Sequence, residues 1–338
     1  MGRAFGSMTA LAAIVTVSTA AAGAGGEELC AAAPVELRSV ACAEPSLREL
    51  DGKLRQYLAG QLEGLSEGTA NEVRATQEKW RDFVVKACPP IAAGPTAVAA
   101  CLKRMYDLRL RHVEAFDKNG ATGKFFFRAD YAVRSVGDPT DERGHLEKVY
   151  AVELVDTKDR AASVTNATFD ELARTIADNL FAQGDTDVVV EVVTNDAFHE
   201  EGDVVHQYAI STETRTLPAP DAWEKTVSLR YFQESRGRFL STTDLFVGGK
   251  WMAVMRTELA RQADRQGSGR QFARIPGHVI VDLTHNISHW TFGVDGIAVR
   301  FAPGLLREND DSFLVVPWKS VAKHLTPLGR RLSAWGAD

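Results

Sequence analysis

All four cysteines of this 338-residue chain, Cys30, Cys42, Cys88 and Cys101, fall in its first third. An even cysteine count in an exported chain points to disulfides, and four residues allow three pairings. Zinc is the rival reading, but there is no C-x-x-C pair and no histidine interleaved at ligand spacing. Export itself is read from the N-terminus. Arg3 precedes a mildly apolar stretch from Met8 to about Ala20, and Ala20-Ala21-Ala22 and Ala22-Gly23-Ala24 offer small-residue cleavage sites. That stretch is shorter than the ~18 residues a spanning helix needs. Residues 1–24 are therefore expected to be a signal peptide, and the mature chain to be periplasmic or secreted.

The cysteines bracket helical periodicity. Leu47, Leu50, Leu54, Tyr57, Leu58, Leu62 and Leu65 recur at steps of three and four, after a Ser46/Glu49 pair spaced as a capping box. Ser66-Glu67-Gly68 reads as a break. A second helix is expected from about Thr69 to Ala87, ended by Pro89-Pro90, and a third from Thr96 to Phe116. Helices joined by a short loop lie antiparallel. Cys88 closes the second and Cys101 opens the third, so these two are expected to pair, leaving Cys30 for Cys42. Each bridge closes a loop of about a dozen residues, worth roughly 3 kcal/mol in the chain-entropy picture. Arg109 is expected to pair with Asp51 or Glu114 inside this bundle, and Trp80 to be core.

Beyond Asp117-Lys118-Asn119-Gly120 the pattern changes. Phe125–Val133, Val149–Val155, Val188–Val193, Val204–Ile210, Val227–Phe232, His278–Leu283, Trp290–Val294, Ile297–Phe301 and Phe313–Val316 are β-branched or aromatic runs bounded by turns. Two helices interrupt them, Phe169–Phe181 and Lys250–Arg265, and Asp295-Gly296 marks a hairpin. The expected architecture is an all-α, disulfide-stapled three-helix bundle over residues 25–117. A linker and first strand follow over 118–144, then an α+β domain with a largely antiparallel sheet and two helices over 145–338.

A formal charge of -6 without a dense basic patch argues against nucleic acid as a partner. No GxSxG, HExxH, P-loop or GxGxxG occurs, so no enzyme and no cofactor is expected. His285 and His289 have helical metal-ligand spacing, but their segment reads as turn and strand, where residues four apart cannot share an ion.

Two family resemblances add to this reading. Cys30, Cys42-Ala43-Glu44-Pro45, Leu47, Leu50-Asp51, Tyr57, the Gln77/Trp80 pair, Cys88 and Cys101-Leu102 with Tyr106, Arg109 and Leu110 make residues 30–116 resemble the LprI family of lysozyme inhibitors. Val84 stands where that family usually carries an Arg. Leu240-Ser241-Thr242-Thr243-Asp244-Leu245-Phe246, Trp290-Thr291-Phe292, Asp295-Gly296-Ile297 and Val315-Val316-Pro317-Trp318 make residues 145–328 similar to the extracellular domain of the RsiV-type lysozyme-sensing anti-sigma factors. Both resemblances point to lysozyme or the cell wall, and the function they imply together is binding and inhibition of lysozyme. The alternative is a peptidoglycan-associated structural module of the envelope. Lysozyme is a cationic enzyme with two catalytic carboxylates in a cleft. A loop carrying a basic side chain among acidic ones suits it. The segment from Gly304 to Asp311 offers Arg307 beside Glu308, Asp310 and Asp311 as candidate contacts, with an ordinary solvated hairpin loop as the rival. Oligomeric state is not encoded in any of these patterns.

Overall fold

The computed structural model describes residues 30–118, 125–135, 145–158, 160–182, 184, 186–200, 203–216, 223–307 and 312–334. Its N-terminal part is helical. α1 (Arg38–Ala43) and α2 (Pro45–Leu62) lead into α3 (Glu67–Ala87) and α4 (Pro95–Lys118). Leu47 and Leu54, Trp80, Phe83 and Val84, and Val98, Leu102, Met105 and Tyr106 share one core. Disulfides join Cys30 to Cys42 and Cys88 to Cys101, the pairing expected from the helix ends and by elimination.

Two helix ends differ from expectation. Ser46 does not cap α2. The N-cap is Glu44, and Pro45 opens the helix because its fixed φ and missing N–H suit the first position. The Ser46 hydroxyl donates to Glu44 Oε1 at 3.2 Å instead. Ser66, read as a breaker, caps α3, and its hydroxyl accepts from the Thr69 N–H. Asp156 reaches that helix start from across the fold, accepting from the Ser66 N–H at 2.6 Å and the Thr69 hydroxyl at 2.7 Å.

The rest of the chain builds two sheets. β1 (Phe125–Ser135), β2 (His145–Val155), β3 (Thr186–Glu200), β4 (Asp203–Thr216), β5 (Glu224–Gln233) and β6 (Arg238–Phe239) lie side by side in that order. Every pairing is antiparallel except β2–β3, which is parallel because α5 (Arg160–Ala182) crosses between them. The smaller sheet is β7 (Trp290–Gly293), β8 (Gly296–Phe301) and β9 (Ser312–Pro317), all antiparallel. Gly296 packs closely against β9, with no room for a side chain. A Cβ there would lie 2.1 Å from the Val316 carbonyl oxygen.

The α+β class is thus borne out. To α5 and α7 (Lys250–Arg265) the structure adds short helices. They are α6 (Thr242–Leu245), α8 (Gly269–Phe272), α9 (Gly277–His285), α10 (Trp318–Val321) and α11 (Pro327–Ala334). α9 replaces the strand expected over His278–Leu283. The β-branched Val279-Ile280-Val281 run suggested a strand, yet Pro276 starts a helix that buries Ile280 and Leu283, three residues apart, while Val281 stays exposed.

Side-chain alternation in the large sheet decides what covers it. Tyr150, Val152 and Leu154 of β2 and Val188, Val190 and Val192 of β3 pack under Phe169, Ala173 and Ala177 of α5. On the opposite face, Val149 and Val189 join the core of the N-terminal helices. Farther along that same face, Val205 of β4 and Tyr231 of β5 join the core of the small sheet with Trp251, Trp290 and Phe292. One face of the sheet therefore carries the helical unit over its first strands and the small-sheet unit over its later ones.

Candidate functional site

The loop between α3 and α4 is short, rigid and apolar at its tip. Pro89 and Pro90 fix its entry, a 3-10 turn runs from Ile91 to Ala93, and Gly94 takes a φ of 108° that other residues rarely adopt. The Cys88–Cys101 bridge clamps both ends. Pro90, Ala92 and Ala93 are exposed, and Ile91, a residue that normally seeks a core, is 43% exposed. A cavity of about 590 Å³ opens beside the bridge, walled by Lys86, Pro89, Ala97, Arg104 and His145.

From there a groove follows α4. A cavity of about 450 Å³ is lined by Lys103, Arg104, Asp107 and Arg111 of the helix and by Glu147, Val189, Glu213 and Trp223 on the sheet side. Its charges are matched in pairs. Arg104 donates to both carboxylate oxygens of Glu147 at 2.6 Å each, and Arg111 reaches Glu213 at 3.2 Å, which also accepts from Lys225 at 2.9 Å. His112 Nε2 lies 3.0 Å from Glu191 Oε1. Burial holds the His112 imidazole below its ordinary pKa, outweighing the pull of Glu191, so the ring is neutral and its Nε2–H donates. Burial opposes ionisation of Glu191, but the hydrogen bond from His112 and the nearby Arg111 and Lys225 outweigh it and keep the carboxyl below its usual range. A row of basic groups on α4 is thus seated on a row of carboxylates along β2, β3 and β4.

Behind this row, α3 and α4 meet through a buried polar layer. Arg109 Nε donates to Gln77 Oε1 at 3.2 Å and Nη1 to the Tyr131 hydroxyl at 3.5 Å. The expected partner Asp51 is engaged elsewhere. It accepts from the Ala33 N–H at 3.0 Å, Arg55 Nε at 2.9 Å and the Tyr106 hydroxyl at 2.8 Å, and so ties the N-terminal segment to α2 and α4. The Glu114 side chain lies outside the described residues. Trp80 is core, stacked at a tilt on Tyr106 with ring centroids 5.4 Å apart. Val84 is fully buried among the helices, a place that suits an aliphatic side chain.

Of the loop proposed from sequence, Arg307 is exposed, and its carbonyl accepts from the Gly304 N–H at 2.6 Å in a turn anchored by buried Leu306. Glu308, Asp310 and Asp311 lie outside the described residues. His285 and His289 do not converge. His285 Nδ1 faces the Val281 carbonyl at 3.0 Å, and His289 Nε2 faces Asp282 at 3.0 Å. Sequence reasoning missed the Pro89–Pro95 tip and the row on α4. The flanking cysteines and prolines signalled a clamped loop, whereas the row needs the sheet to be visible.

Residues 30–112 match the family described as lysozyme inhibitor LprI. The helical unit, with both disulfides, is therefore similar to that family. The match spans less than half of the chain. No curated protein matches it. Two solved structures of DUF3298-family proteins align with it. One, from Bacteroides fragilis NCTC 9343, is 10% identical, covers 63% of this chain and 99% of its own, and has a TM-score of 0.39. The other, from Pseudomonas aeruginosa PAO1, is 12% identical, covers 63% and 97%, and has a TM-score of 0.40. Neither likeness speaks to function. Among the described residues, no helix is long and apolar enough to cross a membrane.

Proposed function

We propose that this chain is an exported envelope protein that binds lysozyme and blocks it. The observation that carries the reading is the LprI match over residues 30–112, which coincides with the helices that the two disulfides staple. Two disulfides fit an oxidising compartment, in keeping with the expected signal peptide at residues 1–24. The resemblance of residues 145–328 to RsiV-type lysozyme-sensing domains, read from sequence motifs alone, supports the same reading.

The Pro89–Pro95 tip is the contact that geometry favours. It is already ordered, so docking costs little conformational entropy, and its exposed Ile91 supplies apolar area for a cleft. The net charge of -6 favours encounter with a cationic enzyme. Arg307 with Glu308, Asp310 and Asp311 is a second, separate contact proposed on charge alone.

Titration of the chain from residue 25 into c-, g- and i-type lysozymes, followed by cell-wall lysis, tests the proposal. Stoichiometric loss of lysis with one type is expected. Ile91→Asp should weaken that inhibition by about tenfold or more, since truncating a central apolar contact typically costs 1–2 kcal/mol. Undiminished lysis with all three types, together with binding to purified sacculi, would move the chain to the peptidoglycan-associated alternative.

A further inference from the structure

Three hydrogen-bond donors on neighbouring turns of α3 and α4 are buried and have no acceptor within reach among the described residues. They are Arg109 Nη2, Gln77 Nε2 and Trp80 Nε1. The closeness of Arg109 and Gln77 follows from the bond already described, and helix spacing brings Trp80 alongside them. Arg109 Nε binds Gln77 Oε1, so the nitrogen of that same planar amide lies beside the guanidinium. Trp80 is one turn from Gln77 on α3, and its ring packs on Tyr106, one turn before Arg109 on α4.

The charge is as unbalanced as the hydrogen bonds. Arg109 is fully buried and carries a permanent positive charge. Both of its partners, Gln77 Oε1 and the Tyr131 hydroxyl, are formally neutral. Burial pushes the Tyr131 pKa up, so a tyrosinate does not supply the missing charge. His112, one turn along α4, is neutral and donates through Nε2 to Glu191, so it supplies no charge to Arg109. Asp51 of the bundle is committed to Arg55, Tyr106 and Ala33, and the Glu191 carboxylate beyond His112 is engaged by the imidazole, with no direct bond to Arg109 among the described residues. A buried cation without a counter-charge is costly, whereas a paired one is tolerated.

We propose that Arg109, Gln77 and Trp80 form an internal binding site for one small monovalent anion of chloride size, held between α3 and α4. Water satisfies donors but leaves the guanidinium charge uncompensated. A monoatomic anion meets both needs, accepting from several N–H groups at once. The cavities along α4 are lined by other residues, so the proposed site is distinct from them.

The test uses the full chain with both disulfides intact. Thermal melts are compared in sodium chloride, sodium bromide and sodium gluconate at equal ionic strength, because gluconate is too large to enter. A saturable rise in Tm with chloride and bromide is expected, about 2–4 °C at roughly ten times the dissociation constant. Crystals grown in bromide should show an anomalous peak within hydrogen-bond distance of Arg109 Nη2. Gln77→Leu keeps the charge and the helix but removes one donor, and should weaken the chloride dependence several-fold. Equal Tm values in chloride and gluconate, or a water in place of the bromide peak, would overturn the proposal.

Discussion

Asp244 shows how much one carboxylate decides locally. It accepts from Arg236 at 2.8 Å and Arg238 at 2.9 Å and closes a capping box at the start of α6 by accepting from the Ser241 N–H at 2.8 Å. The Arg238 hydrogen bond, helped by Ser241, outweighs burial and holds its pKa well below the usual carboxylate range. A depressed carboxylate pKa contributes stability that is whole above the unfolded value, about pH 4, and is lost as pH falls through the folded one. Asp244→Ala should therefore lower stability by about 1–2 kcal/mol at pH 7, and the gap to the parent should narrow in acid. Urea unfolding at pH 7 and pH 2.5 measures both. At this scale local spacing makes such pairs possible without deciding which form, since Ser46 and Glu49 share the spacing and do not cap α2. Ser241 and Asp244 are three residues apart, and the paired cysteines are a dozen. Arg109 was not legible, because Gln77 and Tyr131 come to it from α3 and β1.

Elements follow from local pattern except where tertiary packing overrides it. The periodic leucines and the alternating strands announced α2–α4 and most of the sheet. α9 did not, since a β-branched run looks like a strand until Pro276 and the apolar surface of α7 are in view. The seating of α4 on the sheet is likewise invisible in its own sequence, which shows only scattered basic residues. His112 gives that seating a pH dependence. Its pKa is lowered in the fold, so the unfolded chain binds more protons below about pH 6.5 and stability falls as pH drops through that value. His112→Gln can still donate to Glu191 without titrating. Between pH 7 and pH 5 its unfolding free energy should decline less steeply than the parent's, by up to about 1.4 kcal/mol per pH unit, as read from urea midpoints.

For the whole molecule, the consequential feature is that the helical unit shares its core with the large sheet. Val149 and Val189 pack with the helices, Phe83 lies against Tyr131 with ring centroids 5.1 Å apart, and Arg104, Arg111 and His112 bond carboxylates of the sheet. A fragment of residues 25–118 loses all of these. It should form both disulfides yet unfold with roughly 3–6 kcal/mol less stability than the full chain, the loss expected from uncovering a few large apolar side chains. Equal urea midpoints for fragment and full chain would show the two parts to be energetically independent.

The sequence by itself determined the disulfide pairing, the helical first third, the change to strands after Lys118 and the turn at Asp295-Gly296. These depend on spacing, turn chemistry and periodicity within a few residues. Only the tertiary structure decided that one sheet face carries both the helices and the small sheet, that α4 rests on a row of carboxylates, and that Arg109 is enclosed without a bonded carboxylate among the described residues. The reason is physical. Burial and charge pairing are set by residues distant in sequence that meet when apolar faces are covered, and a linear pattern shows which face is apolar but not what will cover it.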